Sequence, residues 1–342
     1  MLTRFIDKFI QRVAFVIMLC MVMAACSDSD DDAVGTEDVS VAFTLTVADA
    51  TSTRAENDGW DDYSPAQDGI LNENMVNTDD IIIAIYDDKG NKVDIVEDLR
   101  VTTVSDPSIT GATMYAITGV WKNAKPNVDK AKRVMVIANS NVSAWSDPSL
   151  LTYDLNPGTR KYIPMWGVVK IPEALTLGKQ NKLPNIQMLR AMAKVSVSLR
   201  TDMTTYGYAI GSMTVNNYNT KGYCVPKTFN EVDNTSEVRF ANSLNVLDSH
   251  ADQIALPTTA PLYLPEYDNS GTNPTTITVN LNRNGKLEGS YTLEFRNYDS
   301  DGKPTGPTYP IQRNHYYQYW IYKETGKIIV TLHVRKWNRR IY

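Results

Sequence analysis

From Val41 onward the apolar residues recur at every second position, and long stripes at the three- and four-residue spacing of a helix are missing. Val41, Phe43, Leu45 and Val47 alternate with Ala42, Thr44 and Thr46, the pattern of a strand with one buried face. Ile81 to Tyr86 is a near-continuous apolar run, closed by the turn residues Asp87-Asp88-Lys89-Gly90-Asn91. The same pattern predicts strands at Thr113 to Trp121, Arg133 to Ala138, Gly167 to Ile171, Ala193 to Leu199 and Ser212 to Asn217. It continues at Thr276 to Leu281, Ser290 to Arg296, Tyr316 to Tyr322 and Lys327 to Val334. Short strands punctuated by Gly, Pro, Asn and Asp point to an all-β protein of sandwich type, with few short helices, rather than alternating β and α units.

At 342 residues, 42% apolar and 21% charged, the chain is long enough for two such domains. A boundary is expected near residues 173 to 190, where Glu173 to Pro184 is polar and poor in β-branched residues. That gives an N-terminal sandwich at 40–185 and a C-terminal one at 186–342. Pro65 to Asn77 and Thr228 to Asp252 lack periodicity and read as loops or short helices. No internal repeat of fixed spacing is present.

Ahead of the strands lies an export signal. Arg4, Lys8 and Arg12 precede the apolar run Val13 to Ala25, whose 13 residues reach roughly 20 Å as a helix, short of the ~30 Å hydrocarbon layer. Residues 1–25 therefore read as a signal peptide, lost together with Cys20. Met23-Ala24-Ala25-Cys26 looks like the lipobox at which bacterial lipoprotein precursors are cleaved and acylated. Cys26 would carry several acyl chains, a stable anchor in the outer membrane. Ser27-Asp28-Ser29-Asp30-Asp31-Asp32 is too charged to pack, so residues 26–39 read as a solvated tether, of a kind resembling the signal for surface exposure. The net charge of −5 divides accordingly. Three basic and one acidic residue give the leader +2, one basic and seven acidic residues give Cys26 to Arg54 −6, and the remainder is near neutral at −1.

Little in the chain suggests catalysis. Phosphate-binding glycine loops, nucleophile elbows, CxxC and HExxH spacings are all absent, and there is no basic footprint for nucleic acid. His250, His315 and His333 have no partners nearby in sequence. Cys224 is the one thiol left after processing and reads as a buried, inert residue in preference to a nucleophile. Asn297-Tyr298-Asp299-Ser300-Asp301-Gly302 begins like a calcium loop, but position twelve is Thr308 instead of a bidentate Glu, so a hairpin turn is favoured. No catalytic residue, metal site or cofactor is predicted. The tryptophans at 60, 121, 145, 166, 320 and 337, with 19 tyrosines, suit either a sandwich core or a glycan-stacking platform.

Thr51-Ser52-Thr53-Arg54-Ala55-Glu56 follows the first strand and precedes a polar stretch, so Arg54 offers a trypsin-like protease the exposed Arg it needs. Cleavage of the Arg54-Ala55 bond would release the lipid anchor together with residues 40–48. In this arrangement the chain resembles the fimbrillins, the shaft, tip and anchor subunits of type V pili. The resemblance is carried by Cys26, by Thr53-Arg54-Ala55 and by the Val134 to Asn139 strand. It continues through Pro164-Met165-Trp166-Gly167, Leu189-Arg190-Ala191-Met192-Ala193-Lys194-Val195, Tyr263-Leu264-Pro265-Glu266 and Arg313-Asn314-His315-Tyr316-Tyr317.

The resemblance implies two transthyretin-like sandwiches and export as a surface lipoprotein. An Arg-specific protease would then cut after Arg54. Removal of the strand bearing Val41, Phe43, Leu45 and Val47 would open an apolar slot with unpaired backbone groups. A strand from the next subunit would fill it, giving a head-to-tail fibre of fimbrial subunits that ends at a host or bacterial receptor. Residues 327–342, with Ile328, Val330, Leu332 and Val334 on the apolar face, are the candidate donor. They fit equally as the last strand of the chain's own second sandwich. The tail after Trp337 is shorter than shaft subunits carry and Arg339-Arg340 fills pockets poorly, while Arg54 argues against an anchor. The alternative to a pilus subunit is an uncleaved surface lipoprotein that binds glycans through exposed aromatics.

Overall fold

The computed structural model describes residues 36–47, 71–105, 113–140, 151–154, 162–226, 253–256 and 261–336. Cys20, Cys26, Arg54, Ala55, His250, Trp60, Trp145, Trp337 and the stretch 228–252 lie outside them. The described chain is nearly all β. In the first half the strands are β1 Val39–Val47, β2 Ile81–Tyr86, β3 Lys92–Ile95, β4 Glu97–Ser105 and β5 Thr113–Trp121. They continue with β6 Arg133–Ala138, β7 Thr152–Asp154, β8 Met165–Lys170, β9 Gln180–Lys182 and β10 Ile186–Arg190. The second half holds β11 Met192–Leu199, the short helix α1 Thr201–Thr205, β12 Tyr208–Asn216, β13 Lys221–Tyr223, β14 Gln253–Leu256 and β15 Leu262–Pro265. Then come β16 Thr276–Arg283, β17 Lys286–Glu294, β18 Asn297–Tyr298, β19 Pro304–Thr305, β20 His315–Glu324 and β21 Lys327–Lys336.

The first sheet runs β3-β2-β6-β8-β10-β1-β5-β4, with β9 also paired to β1. β10 links its two arms. Leu45 to Val47 of β1 pair with Ile186 to Met188, while Leu189 and Arg190 pair with Trp166 and Met165 of β8. Side chains from both arms meet in one core that includes Val41, Phe43, Ile117, Ile83, Ile85, Val134 and Val136. The alternate residues of the β2-β6-β8 arm, Ala84, Tyr86, Met135, Ile137, Trp166 and Val168, enter a second cluster with Met192, Cys224, Tyr263 and Tyr316 of the other half. An arm covered on both faces needs apolar residues at every position, which accounts for the unbroken run Ile81 to Tyr86.

In the second half two four-stranded sheets, β15-β11-β20-β21 and β14-β12-β16-β17, share a third core built on Val195, Tyr317, Tyr319, Ile277, Val279 and Phe295. Phe295 meets Tyr317 and Tyr319 edge-on, with ring centroids 5.3 and 5.8 Å apart, the arrangement that aligns ring edges with ring faces.

Every strand anticipated from period two is present, most with shifted ends. The stretch expected to separate two domains instead carries β9 and β10, so the first sheet runs on past residue 185 to Arg190. β9 is polar because it contributes backbone pairing rather than side-chain burial, its residues being exposed, half-buried and exposed. β4 escaped notice because an edge strand exposes alternate polar residues and because Asp98, at φ 48°, breaks its register. Leu71–Asn74 of the non-periodic stretch is one turn of 3₁₀ helix. The Asn297 segment is a hairpin, β18 against β19, in which the Asp299 carboxylate accepts the backbone N–H groups of Asp301 and Lys303, both at 2.9 Å.

Gly167 shows how tightly the arms meet at β8. A Cβ there would lie 2.7 Å from the Gln187 carbonyl oxygen and 2.8 Å from the Ile186 side chain. Gly167→Ala is expected to destabilise the protein by about 1–3 kcal/mol through overpacking, read as a lower urea midpoint at unchanged slope.

Candidate functional site

The site built around β1 begins with its chemistry. Val39, Val41, Phe43, Leu45 and Val47 project to one face and are at most 3% exposed. At roughly 2 kcal/mol each, their burial is worth on the order of 10 kcal/mol. Along one edge β1 pairs antiparallel with β5 at eight positions, from Val39 opposite Trp121 to Thr46 opposite Met114. Along the other it runs parallel to β9 (Ser40 to Ala42) and then to β10 (Leu45 to Val47). The link between those two strands closes the gap, where the Leu183 N–H donates to the Ala42 carbonyl at 2.9 Å. β1 is thus an interior strand bounded on both edges and both faces.

The opposite face carries Ser40, Ala42 and Thr44, also buried, and half-buried Thr46. The Asn181 amide donates to the Ser40 carbonyl at 3.1 Å. Asn185 reads side chains instead: the Thr44 hydroxyl donates to its Oδ1 at 2.8 Å, and its Nδ2 donates to the Thr46 hydroxyl at 3.0 Å. At the strand's start the Asn123 N–H donates to the Asp38 carboxylate at 2.8 Å, and Lys125 Nζ meets Glu37 Oε1 at 2.8 Å. The latter pair is exposed and worth little.

Sequence reasoning picked out Val41, Phe43, Leu45 and Val47, and the structure brings all four together in one core. It did not anticipate Val39, Asn181 or Asn185. The two asparagines sit in the expected boundary region 173 to 190, where nothing in the sequence distinguishes a reader of β1 from a solvated loop residue.

Ile328, Val330, Leu332 and Val334 stand on β21, the outer strand of its sheet, paired with β20 at ten positions from His315 opposite Lys336 to Glu324 opposite Lys327. Val330 and Val334 are buried in the core of the second half, and Ile328 and Leu332 pack against it. The β18–β19 hairpin reaches this strand, and a Cβ on Gly302 would lie 2.8 Å from the Val330 nitrogen.

A buried polar network lies where the two halves meet, built from the 3₁₀ turn at Leu71–Asn74 and from three of the segments that carry the resemblance. Arg190 and Lys194 come from β10 and β11, Tyr263 and Glu266 from β15 and the residue after it, Arg313 and Asn314 from the turn just before β20, and Tyr316 from its start. Lys194 Nζ meets Glu73 Oε1 at 2.9 Å, with side chains 7% and 2% exposed, and the Tyr263 hydroxyl donates to the same oxygen at 2.6 Å. Arg190, fully buried, donates to the Glu73 carbonyl at 3.0 Å, to Asn314 Oδ1 at 2.6 Å and to Asn74 Oδ1. Arg313, also fully buried, meets Glu266 at 2.7 Å and donates to the carbonyls of Cys224 and Tyr223 at 2.8 and 3.0 Å. Glu73 is the member that periodicity passed over, since it lies on the 3₁₀ turn. Cys224 is a buried thiol beside this network, and His315 Nδ1 contacts the Arg313 carbonyl at 2.8 Å.

Most described aromatics are buried, and others, including Trp320, Tyr291, Tyr309 and Tyr322, are half-buried. Trp121 and Trp166 are fully buried, and Tyr206, 64% exposed, is the one exposed Trp or Tyr among the described residues. Among those residues no three His, Cys, Asp or Glu side chains are grouped to hold a metal ion, and no helix is long and apolar enough to cross a membrane.

Comparison with known proteins places this fold. No family profile matches the chain and no curated protein sequence does. The C-terminally truncated tip fimbrial protein Mfa3 from Porphyromonas gingivalis matches it with a TM-score of 0.51 at 16% identity, over 88% of this chain and 100% of that one. A fimbrial assembly protein from Parabacteroides distasonis matches with a TM-score of 0.49 at 13% identity, over 87% of this chain and 98% of that one. The chain therefore has the fold of a fimbrial tip protein, as the resemblance read from its sequence implied.

Two outcomes follow from the buried groups. Glu73→Gln leaves the Lys194 charge uncompensated and is expected to cost about 3–5 kcal/mol, most of which returns in Glu73→Leu with Lys194→Met; denaturant unfolding of the three proteins measures both. Burial pushes the hydroxyls of Tyr263, Tyr267, Tyr317 and Tyr319 well above the usual phenol range, the Glu73 carboxylate adding to the shift at Tyr263, and pushes Tyr298 up to about 12. Folded phenols thus keep protons that unfolded ones release above about pH 10. Stability should be unaffected by these groups below that pH and fall steeply above it, with tyrosinate absorbance rising together with loss of fold.

Proposed function

We propose that the chain is a structural, non-enzymatic subunit of a cell-surface fimbria that accepts a strand from a neighbouring subunit in place of β1. One observation carries the reading: β1 completes the interior of a sheet and belongs to the segment that lies before Arg54. Cleavage after Arg54 would remove β1 with the lipidated Cys26 and free the edges of β5, β9 and β10 in the middle of the sheet. Unpaired backbone and apolar surface on that scale drive strand addition. An incoming strand that runs as β1 does lies antiparallel to β5 and parallel to β10, so the contact joins two different surfaces and propagates as a fibre.

In this reading the chain is exported as an outer-membrane lipoprotein and matured by an Arg-specific protease. It ends in an extracellular fimbria, among other fimbrial subunits and facing a host or bacterial receptor. Its two halves are separate sandwich domains of transthyretin-like type, joined through the Glu73 and Arg313 networks. The fold shared with a fimbrial tip protein supports this, and a single exposed Tyr among the described aromatics gives no support to a glycan platform.

Arg54→Ala is expected to leave the folded lipoprotein's stability within about 0.5 kcal/mol of wild type and to keep the subunit out of sheared fibres. Its recovery in fibres at wild-type amounts would contradict the strand-opening step.

A further inference from the structure

The two faces of the β1 slot set different demands. The inner face takes five apolar side chains, a requirement that many strands meet. The outer face holds nothing larger than threonine: Ser40, Ala42 and Thr44 are 8%, 2% and 5% exposed, so bulky side chains at these positions would meet protein rather than water. Of the two asparagines lining it, Asn181 contacts the backbone carbonyl of Ser40, which any residue supplies. Asn185 is bound at both ends of its amide by the hydroxyls of Thr44 and Thr46, which only Ser or Thr supplies.

We infer that Asn185 selects the occupant of the slot. That occupant is an extended segment of another fimbrial subunit with apolar residues on one face, small residues on the other, and Thr or Ser at the two positions opposite Asn185. The inference rests on strand replacement as proposed above and adds which strands qualify. β21 of a second copy does not. Lys327 to Lys336 holds a single Ser or Thr hydroxyl, that of Thr331, so no register places two hydroxyls two residues apart. β21 also contributes Val330 and Val334 to its own core. The chain therefore accepts a strand from a different subunit rather than polymerising through this one.

The test uses the full chain, cleaved by an Arg-specific protease in the presence of labelled synthetic peptides. One peptide has the β1 sequence Val39 to Val47, a second has Ser for Thr44 and Thr46, a third has Val at both, and a fourth has the β21 sequence Lys327 to Lys336. Losing two hydrogen bonds to a partly buried amide should weaken the valine peptide about tenfold relative to the β1 peptide. The serine peptide should stay near the β1 value and the β21 peptide should bind at or below the valine level. In Asn185→Leu the preference for hydroxyls should vanish.

Equal affinity of the valine and threonine peptides for wild-type protein, β21 binding as tightly as β1, or a preference that survives in Asn185→Leu would each overturn the selection by Asn185. The wild-type comparison decides even if the variant fails to fold. Retention of no peptide at all after cleavage would instead overturn strand replacement itself, and with it this inference.

Discussion

The backbone of β1 satisfies two sets of neighbours at once, β5 along one edge and β9 with β10 along the other, while its side chains fill the core between the arms of the first sheet. Most edge strands can leave a sheet at modest cost because only one ladder breaks. An interior strand with both faces covered cannot, since its loss strands amide and carbonyl groups on two edges and opens an apolar trough. Emptying this position would leave the first half with two unpaired edges and an open apolar trough. Under the proposed cleavage after Arg54, the chain would carry its own occupant and stay complete until the cut.

The second constraint is the ionic seam. Two fully buried arginines and a buried Lys–Glu pair would be a liability if any partner were missing, since a lone buried charge costs several kcal/mol. Here Arg190 and Lys194 converge on the 3₁₀ turn bearing Glu73, while Arg313 is held by Glu266 and two carbonyls. The seam therefore fixes how β10, β11, β15 and β20 approach one another.

Much of this was legible in the sequence wherever one physical rule dominated. Strands whose apolar residues alternate regularly were found, β4 being the exception where Asp98 breaks the register. The β2-β6-β8 arm is buried on both faces, and its apolar runs showed as strands although alternation was lost. Sequence reading fails where backbone geometry alone decides: β9 joins β1 through its peptide groups, so Gln180-Asn181-Lys182 carries no apolar signature. It fails again where polar residues are used for specificity. Arg190, Lys194, Glu266 and Arg313 stood out only as parts of a resemblance, and nothing short of the fold shows that Glu73, more than a hundred residues before Lys194, is the partner. Asn185 is hidden for the same reason, its role depending on two threonines far earlier in the chain.

The central claim is that β1 is a temporary occupant of its own slot. The N-terminal residue of the subunit in sheared, washed surface fibres tests it most directly. A start at Ala55, with residues 26–54 absent from the assembled subunit, is the result expected of strand replacement. Fibres whose subunits begin at an acylated Cys26 and retain Val39 to Val47 would contradict it.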